Sequence, residues 1–276
     1  MHESVVNNLA GVSVRGVNMH VVVIHGWHEE TAELDQALAA ALGTPVLEAR
    51  PRLIGGGPAV VASFADSHQA QALAAKLRQV GIPALIIDAA PVRNGTGHFV
   101  VRRFELGEKS LHIETINGQS PKIAYGEIDL LLPGTRIAGQ TELITVTEHK
   151  FSLGRTILSG GIPLTKKVSH QEEVTTEDRT KFLYLYAGNR PQVVFRQSGM
   201  TYDGFGAAMK MSQELNFAYL TSELRRLSTE AVYDDRLLNR IGQVRLLGSV
   251  LNPETNLDLA AEILAQSLKR GDYDAG

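Results

Sequence analysis

The chain is 276 residues long, carries a formal charge of −3 and contains no cysteine. This length can bury one large core or two of ordinary size, and the missing thiols exclude disulfides, thiol nucleophiles, iron–sulfur clusters and cysteine zinc sites. Cations are dispersed along the chain, which gives no strong nucleic-acid signal. No apolar run approaches the roughly 20 residues that span a bilayer, so the expectation is a cytoplasmic protein with no membrane span.

Met1 to Asn18 has no periodicity and reads as a tail before a second methionine, Met19; either methionine can be the native start. Val21 to Ile24 is a continuous β-branched run, the pattern of a strand buried on both faces. Leu34, Leu38, Ala41 and Leu42 then form a helical stripe that Gly43 stops. Thr44 is expected to cap a second helix with Pro45 at its first position, and Pro51 forces that helix to kink or to be a short turn ending near Arg50. After Gly55-Gly56-Gly57-Pro58, the run Ala59 to Phe64 reads as a strand. Asp66 and Gln69 form a capping box for a helix whose apolar face is Ala70, Leu73, Ala74, Leu77 and Val80. Gly81 and Pro83 end it, and Ala84 to Asp88 is a third strand. The order βααβαβ over 19–92 predicts a small sheet with helices on one face. That order, with the run "GGGPAVVASFADSHQAQALAAKLRQVGIPALIID", resembles the C-terminal domain of the bacterial ribosomal stalk protein and the related fold of a protease adaptor. The resemblance covers about Ala40 to Asp88 and implies an interaction module.

Three features of this half invite catalytic readings. "VVVIHGW", Val21 to Trp27, looks like the strand that opens an α/β-hydrolase, but that chemistry needs a G-x-S-x-G elbow, and none is present. The glycine run sits between helix and strand without G-K-[ST], the reverse of a phosphate loop, and reads as a helix stop with a tight turn. His25 and His28 could supply nitrogen to zinc or nickel, yet their only acidic neighbours, Glu29 and Glu30, suit a helix start better; no metal and no cofactor is expected. Trp27, the single tryptophan, reads as a packing residue, or as a contact hot spot if its turn is exposed.

From Phe99 the texture turns to β. "FVVRRFELG" and "SLHIETING" alternate around Gly107-Glu108-Lys109, and Asn117-Gly118 is a strong hairpin signal. "KIAYGEIDLLLPG", "TELITVTEHKFSLG", "KFLYLYAG" and "PQVVFRQSGMTYDG" add strands, and Ser212 is a candidate cap for a helix striped by Phe217, Leu220, Leu224 and Leu227. Six or seven strands closed by one amphipathic helix, with Ile128-Asp129 ending a hairpin strand, resemble the pleckstrin-homology-like fold over 98–230, which implies a bent barrel plugged by its helix. Gly154 to Thr180 is too long for a hairpin loop and reads as an insertion or lid, 154–180. Residues 231–276 read as C-terminal helices, with Leu237, Leu238 and Ile241 on one face and Leu257, Ala260, Leu264 and Leu268 on another after the cap Asn252-Pro253; they could pack on the barrel or mediate self-association into a homo-oligomer. Asp234 and Asp235 beside Arg236 read as ion pairing.

The fold expected is therefore α+β, a small βααβαβ domain followed by a barrel with C-terminal helices, condensing as two independent cores. The insertion is its most function-like segment: Arg155, Thr165, Lys166 and Lys167 could receive a phosphate, an anionic lipid head group or an acidic peptide, or could form a solvated loop. The leading functional expectation is a non-catalytic scaffold or adaptor that recognises a protein partner. The alternatives are a hydrolase or other enzyme using His25, His28 and the 154–167 loop, and a sensor of anionic lipid using Lys166 and Lys167.

Overall fold

The computed structural model describes residues 19–27, 29–93, 98–151 and 165–269. They form two units, Met1–Thr135 with Lys181–Gly276, and Arg136–Thr180. Helices and strands mix as the α+β expectation requires. The helices are α1 (Ala32–Leu42), α2 (Val46–Ala49), α3 (Ser67–Gln79), α4 (Ala89–Arg93), α5 (Gln213–Leu227), α6 (Arg240–Leu247) and α7 (Pro253–Lys269). Among the described residues no helix is long and apolar enough to cross a membrane.

In the larger unit, strand β1 (His20–Ile24) lies between β2 (Ala59–Phe64) and β3 (Ala84–Asp88) and is antiparallel to both. Val21, Val22, Val23 and Ile24 are all 0% exposed, so the apolar run is buried on both faces because both faces are covered. Val22 and Ile24 pack with Leu38 of α1 and Ala70, Ala74 and Leu77 of α3. The stripes form as the spacing predicts, except that Val80 lies past the last helical turn and is exposed. Asp66 caps α3 and Thr31 caps α1, and Gly43 ends α1 at a left-handed φ of 69°. Thr44 does not cap α2: Pro45 occupies that position and offers no side-chain bond, and α2 gives way to a short 3-10 turn at Arg50–Arg52.

A second sheet has the order β10-β7-β8-β9-β4-β5-β6. Its strands are β4 (Phe99–Leu106), β5 (Ser110–Thr115), β6 (Lys122–Ala124), β7 (Ile128–Phe151), β8 (Thr165–Ala187), β9 (Val193–Arg196) and β10 (Val232–Tyr233). The barrel expected over 98–230 is not closed among the described residues, because the two end strands stop short. β10 has two residues and pairs with Leu130 and Leu131 of β7. β6 has three, and its outer edge is capped by side chains: Arg190 donates to the Lys122 carbonyl at 3.1 Å, and Glu127 accepts from the Ala124 amide at 3.2 Å. Ile128-Asp129 opens β7 instead of ending a strand. Helix α5, capped by Ser212 as expected, packs Phe217, Leu220 and Leu224 against one face of the sheet, with Phe104, Leu183, Leu185 and Phe195.

The other face of that sheet carries Leu130, Leu132, Phe182, Tyr184, Tyr186 and Val194, and these share one cluster with Val21, Val23, Leu85 and Ile87 of the first sheet. Helix α7 supplies the middle of the cluster. Leu257, Leu259, Ala260, Ala261, Ile263, Leu264 and Ala265 are each at most 3% exposed, so the helix is apolar on more than its expected stripe. The layers run α1/α3, first sheet, α7, second sheet, α5. The two independent cores expected from the sequence are replaced by a helix that both sheets use. The preceding segment also departs from expectation: Leu237 is buried in a 3-10 turn, whereas Leu238 and Ile241 face solvent.

In the smaller unit, residues 136–151 belong to β7 and residues 165–180 to β8. The expected insertion over 154–180 is therefore strand from Thr165 onward. β-Branched residues such as Val168, Val174, Thr175 and Thr176 suit an extended backbone, and β7 supplies the neighbouring strand.

Candidate functional site

Described residues of the larger unit line at least two clefts. The first opens where β7 loses its neighbour. β10 follows β7 only to Leu131, whose carbonyl accepts the Asp234 amide at 3.1 Å; two residues on, Pro133 has no N–H to extend a ladder, and the chain after Asp234 turns away. Gly134 comes next, and a Cβ there would stand 2.1 Å from Cζ of Phe182, so only glycine lets that ring cross the strand. The resulting cleft, about 310 Å³, is walled by Phe182, Phe217 and Leu238 and flanked by α5 through Ala218, Thr221 and Ser222. Thr221 spends its hydroxyl on the Phe217 carbonyl at 3.0 Å, leaving the wall largely apolar.

Two cations border it. Lys181 Nζ is 2.6 Å from Glu214 Oε1, and this bond holds the Glu214 carboxyl below the usual carboxylate range. The Arg225 guanidinium lies 4.1 Å from the centroid of the Tyr233 ring. Burial raises the Tyr233 hydroxyl pKa while Arg225 opposes that rise. Arg225 is exposed and makes no ion pair among the described residues, so a stacked but uncompensated guanidinium stands beside an apolar cavity.

The second cleft, about 570 Å³, lies against β4 and β5 with Glu105, His112, Glu114 and Asp203 in its lining. Ser110 Oγ is 3.3 Å from His112 Nε2, a serine–histidine contact on one strand. It does not make a nucleophile: Ser110 is 7% exposed and absent from the cleft lining, so a substrate there meets the histidine and not the hydroxyl.

Among the described residues, neither His25 nor Trp27 lines either cleft. His25 is buried at the end of β1, where its amide donates to the Pro83 carbonyl at 3.2 Å. His28 and Arg155 lie outside the described residues, as do the side chains of Thr165, Lys166 and Lys167, whose backbone belongs to β8. Among the described residues no group of three or more metal-ligating side chains is assembled. Trp27 packs on the glycine turn: its Nε1 donates to the Leu53 carbonyl at 3.0 Å, and a Cβ on Gly57 would lie 2.6 Å from its ring. That turn accepts its own anion, since the Gly55 amide donates to Glu30 at 3.0 Å. Asp234 and Arg236 form the expected ion pair at 2.6 Å, and Arg236 also donates to the Gly57 carbonyl at 2.6 Å.

Sequence reasoning missed Lys181, Phe182, Arg225 and Tyr233. The only local signals for the cleft were Pro133-Gly134 inside a strand and an arginine on the last turn of α5. No family model, curated protein or solved structure matches the chain.

Proposed function

We propose that this chain is a non-catalytic scaffold or adaptor of the cytoplasm that recognises a protein partner, and that the cleft beside α5 receives an apolar side chain of that partner. The observation that carries this reading is the cleft's chemistry: a cavity of about 310 Å³ with aromatic walls sits at the small end of the ligand-site range, room for one large side chain. Pro133 and Gly134 line it just beyond the point where β10 stops pairing with β7. The element orders that resemble the stalk-protein domain and the pleckstrin-homology-like fold support the same class, since both resemblances imply recognition modules.

Site-specific photo-crosslinking tests it. Benzoylphenylalanine replacing Ala218 or Ser222, both exposed on the cleft side of α5, should give a discrete protein adduct in the native host. The same group at exposed Glu108 should give none. Equal labelling at all three positions, or no adduct from the cleft, would sink the proposal.

A further inference from the structure

Resting on that reading, we infer that the partner segment carries an acidic side chain next to its apolar anchor, and that Arg225 reads it. The two bordering cations are not equivalent. Lys181 is already compensated by Glu214 at 2.6 Å and offers an incoming anion little. Arg225 makes no such pair among the described residues, and its Cζ lies over the Tyr233 ring, 4.1 Å from the centroid. Stacking on an aromatic face occupies the flat side of a guanidinium and leaves its N–H edge for the two oxygens of a carboxylate. It also restricts the side chain before binding, which lowers the entropy lost on recognition. An apolar group in the cleft places its neighbouring residue at this edge, because Arg225 and Phe217 line the same cavity two helical turns apart on α5.

The apolar surface extends beyond the cavity. Leu238 lines the cleft at 39% exposure, and Ile241 and Val244 follow at three-residue intervals with 66% and 43% exposed. A segment with one acidic residue beside a large apolar one, and further apolar residues along its length, fits both the charge and this exposed run. A neutral apolar segment would leave Arg225 without a counter-charge. A purely acidic one would leave the cavity unfilled.

The test is selection of displayed random peptides on the immobilised full-length protein, followed by anisotropy with the winning sequences. Winners should be enriched in an acidic residue within two positions of Leu, Ile, Met, Phe or Trp. Arg225→Gln should weaken them about 10- to 100-fold, and Arg225→Lys should restore only part of that loss, because an ammonium lacks the fork. Amidating the peptide's acidic residue should cost as much with the wild type and nothing further with Arg225→Gln. Far-UV circular dichroism checks that each variant keeps the helix and strand content of the wild type. Winners without acidic enrichment, whose affinity is unchanged by Arg225→Gln but lost in both Ala218→Trp and Ser222→Trp, would overturn the role of Arg225 while keeping the cleft as a binding site. Winners indifferent to both tryptophan variants would overturn the cleft as well. Arg225-dependent sedimentation with phosphatidylserine vesicles, without peptide binding, would overturn the peptide in favour of a membrane surface.

Discussion

Leu264→Ala tests whether the two sheets share a core. Leu264 is 1% exposed and lies on α7, in the cluster that contains Val21 and Val23 of the first sheet and Leu130 and Leu132 of the second. The substitution removes three buried carbons, about 2.4 kcal/mol at roughly 0.8 kcal/mol each, and the cavity between two rigid sheets raises the total to about 3–4 kcal/mol. For a chain of this size each kcal/mol lowers the melting temperature by about 2–4 °C, so a loss on the order of 10 °C is expected. Trp27 packs in the first layer, on the Gly57 turn, and reports that layer through its fluorescence, whereas far-UV circular dichroism reports every element. Urea titrations followed by both probes should shift together and stay superimposed. If the Trp27 transition stays at its wild-type midpoint while the dichroism transition moves, the first sheet has its own core and the shared-helix reasoning is wrong.

Three further outcomes follow from single contacts. Gly57→Ala forces a methyl to within 2.6 Å of the Trp27 ring, which should cost about 1–3 kcal/mol and change the tryptophan emission; an unaltered spectrum and midpoint would contradict the packing. Asp234→Asn removes the charge of a carboxylate that is 7% exposed and paired with Arg236 at 2.6 Å, while the bond from Arg236 to the Gly57 carbonyl remains. A loss of about 2–4 kcal/mol in denaturant titration is expected, toward the lower end because Arg236 is partly solvated. Burial pushes the Tyr202 hydroxyl from its ordinary 10.0 up to about 12, so the folded chain holds a proton that the unfolded chain releases. Its contribution is complete below about pH 10 and declines as pH rises from 10 towards 12. Tyr202→Phe should therefore flatten the alkaline limb of the stability curve, and an unchanged slope above pH 10 would refute the assignment.

Local signals in the sequence were sound wherever one element decides its own form. Gly43, Asp66, Ser212 and Asn252 mark helix ends that the structure shows, and the hairpin at Gly118 turns at a left-handed φ of 77°. Legibility failed where an element's role depends on a distant partner. Val21 and Val23 announce a second buried face, but nothing near them in the chain says that α7, more than 200 residues later, covers it. The sequence of α7 did contain the clue. Leu259, Ala261, Ile263 and Ala265 lie outside the Leu257, Ala260, Leu264, Leu268 stripe, and a helix that is apolar beyond one stripe is a buried helix. The length and charge of 154–180 suggest a loop, whereas from Thr165 the chain is strand β8, next to β7 in the sheet, a placement to which composition is blind.

The candidate site escaped for a related reason. Its parts, Pro133-Gly134, Lys181-Phe182, Phe217 and Arg225, and Tyr233, come from four places in the chain and none forms a motif. Each has an ordinary structural reading alone: a proline at a strand edge, an ion-paired lysine, a core phenylalanine, a basic residue at a helix end. The glycine turn at Gly55–Gly57 offers no comparable arrangement, because Glu30 and Trp27 already occupy it. What distinguishes the cleft is a mismatch that only three dimensions reveal. Arg226, next to Arg225, is matched by Glu223 at 2.7 Å and Lys181 by Glu214, while Arg225 meets an aromatic face and an empty apolar volume. That asymmetry, one cation over an aromatic ring beside an apolar cavity while its neighbours are ion-paired, is what the proposed partner segment would match by bringing a charge and an apolar group together.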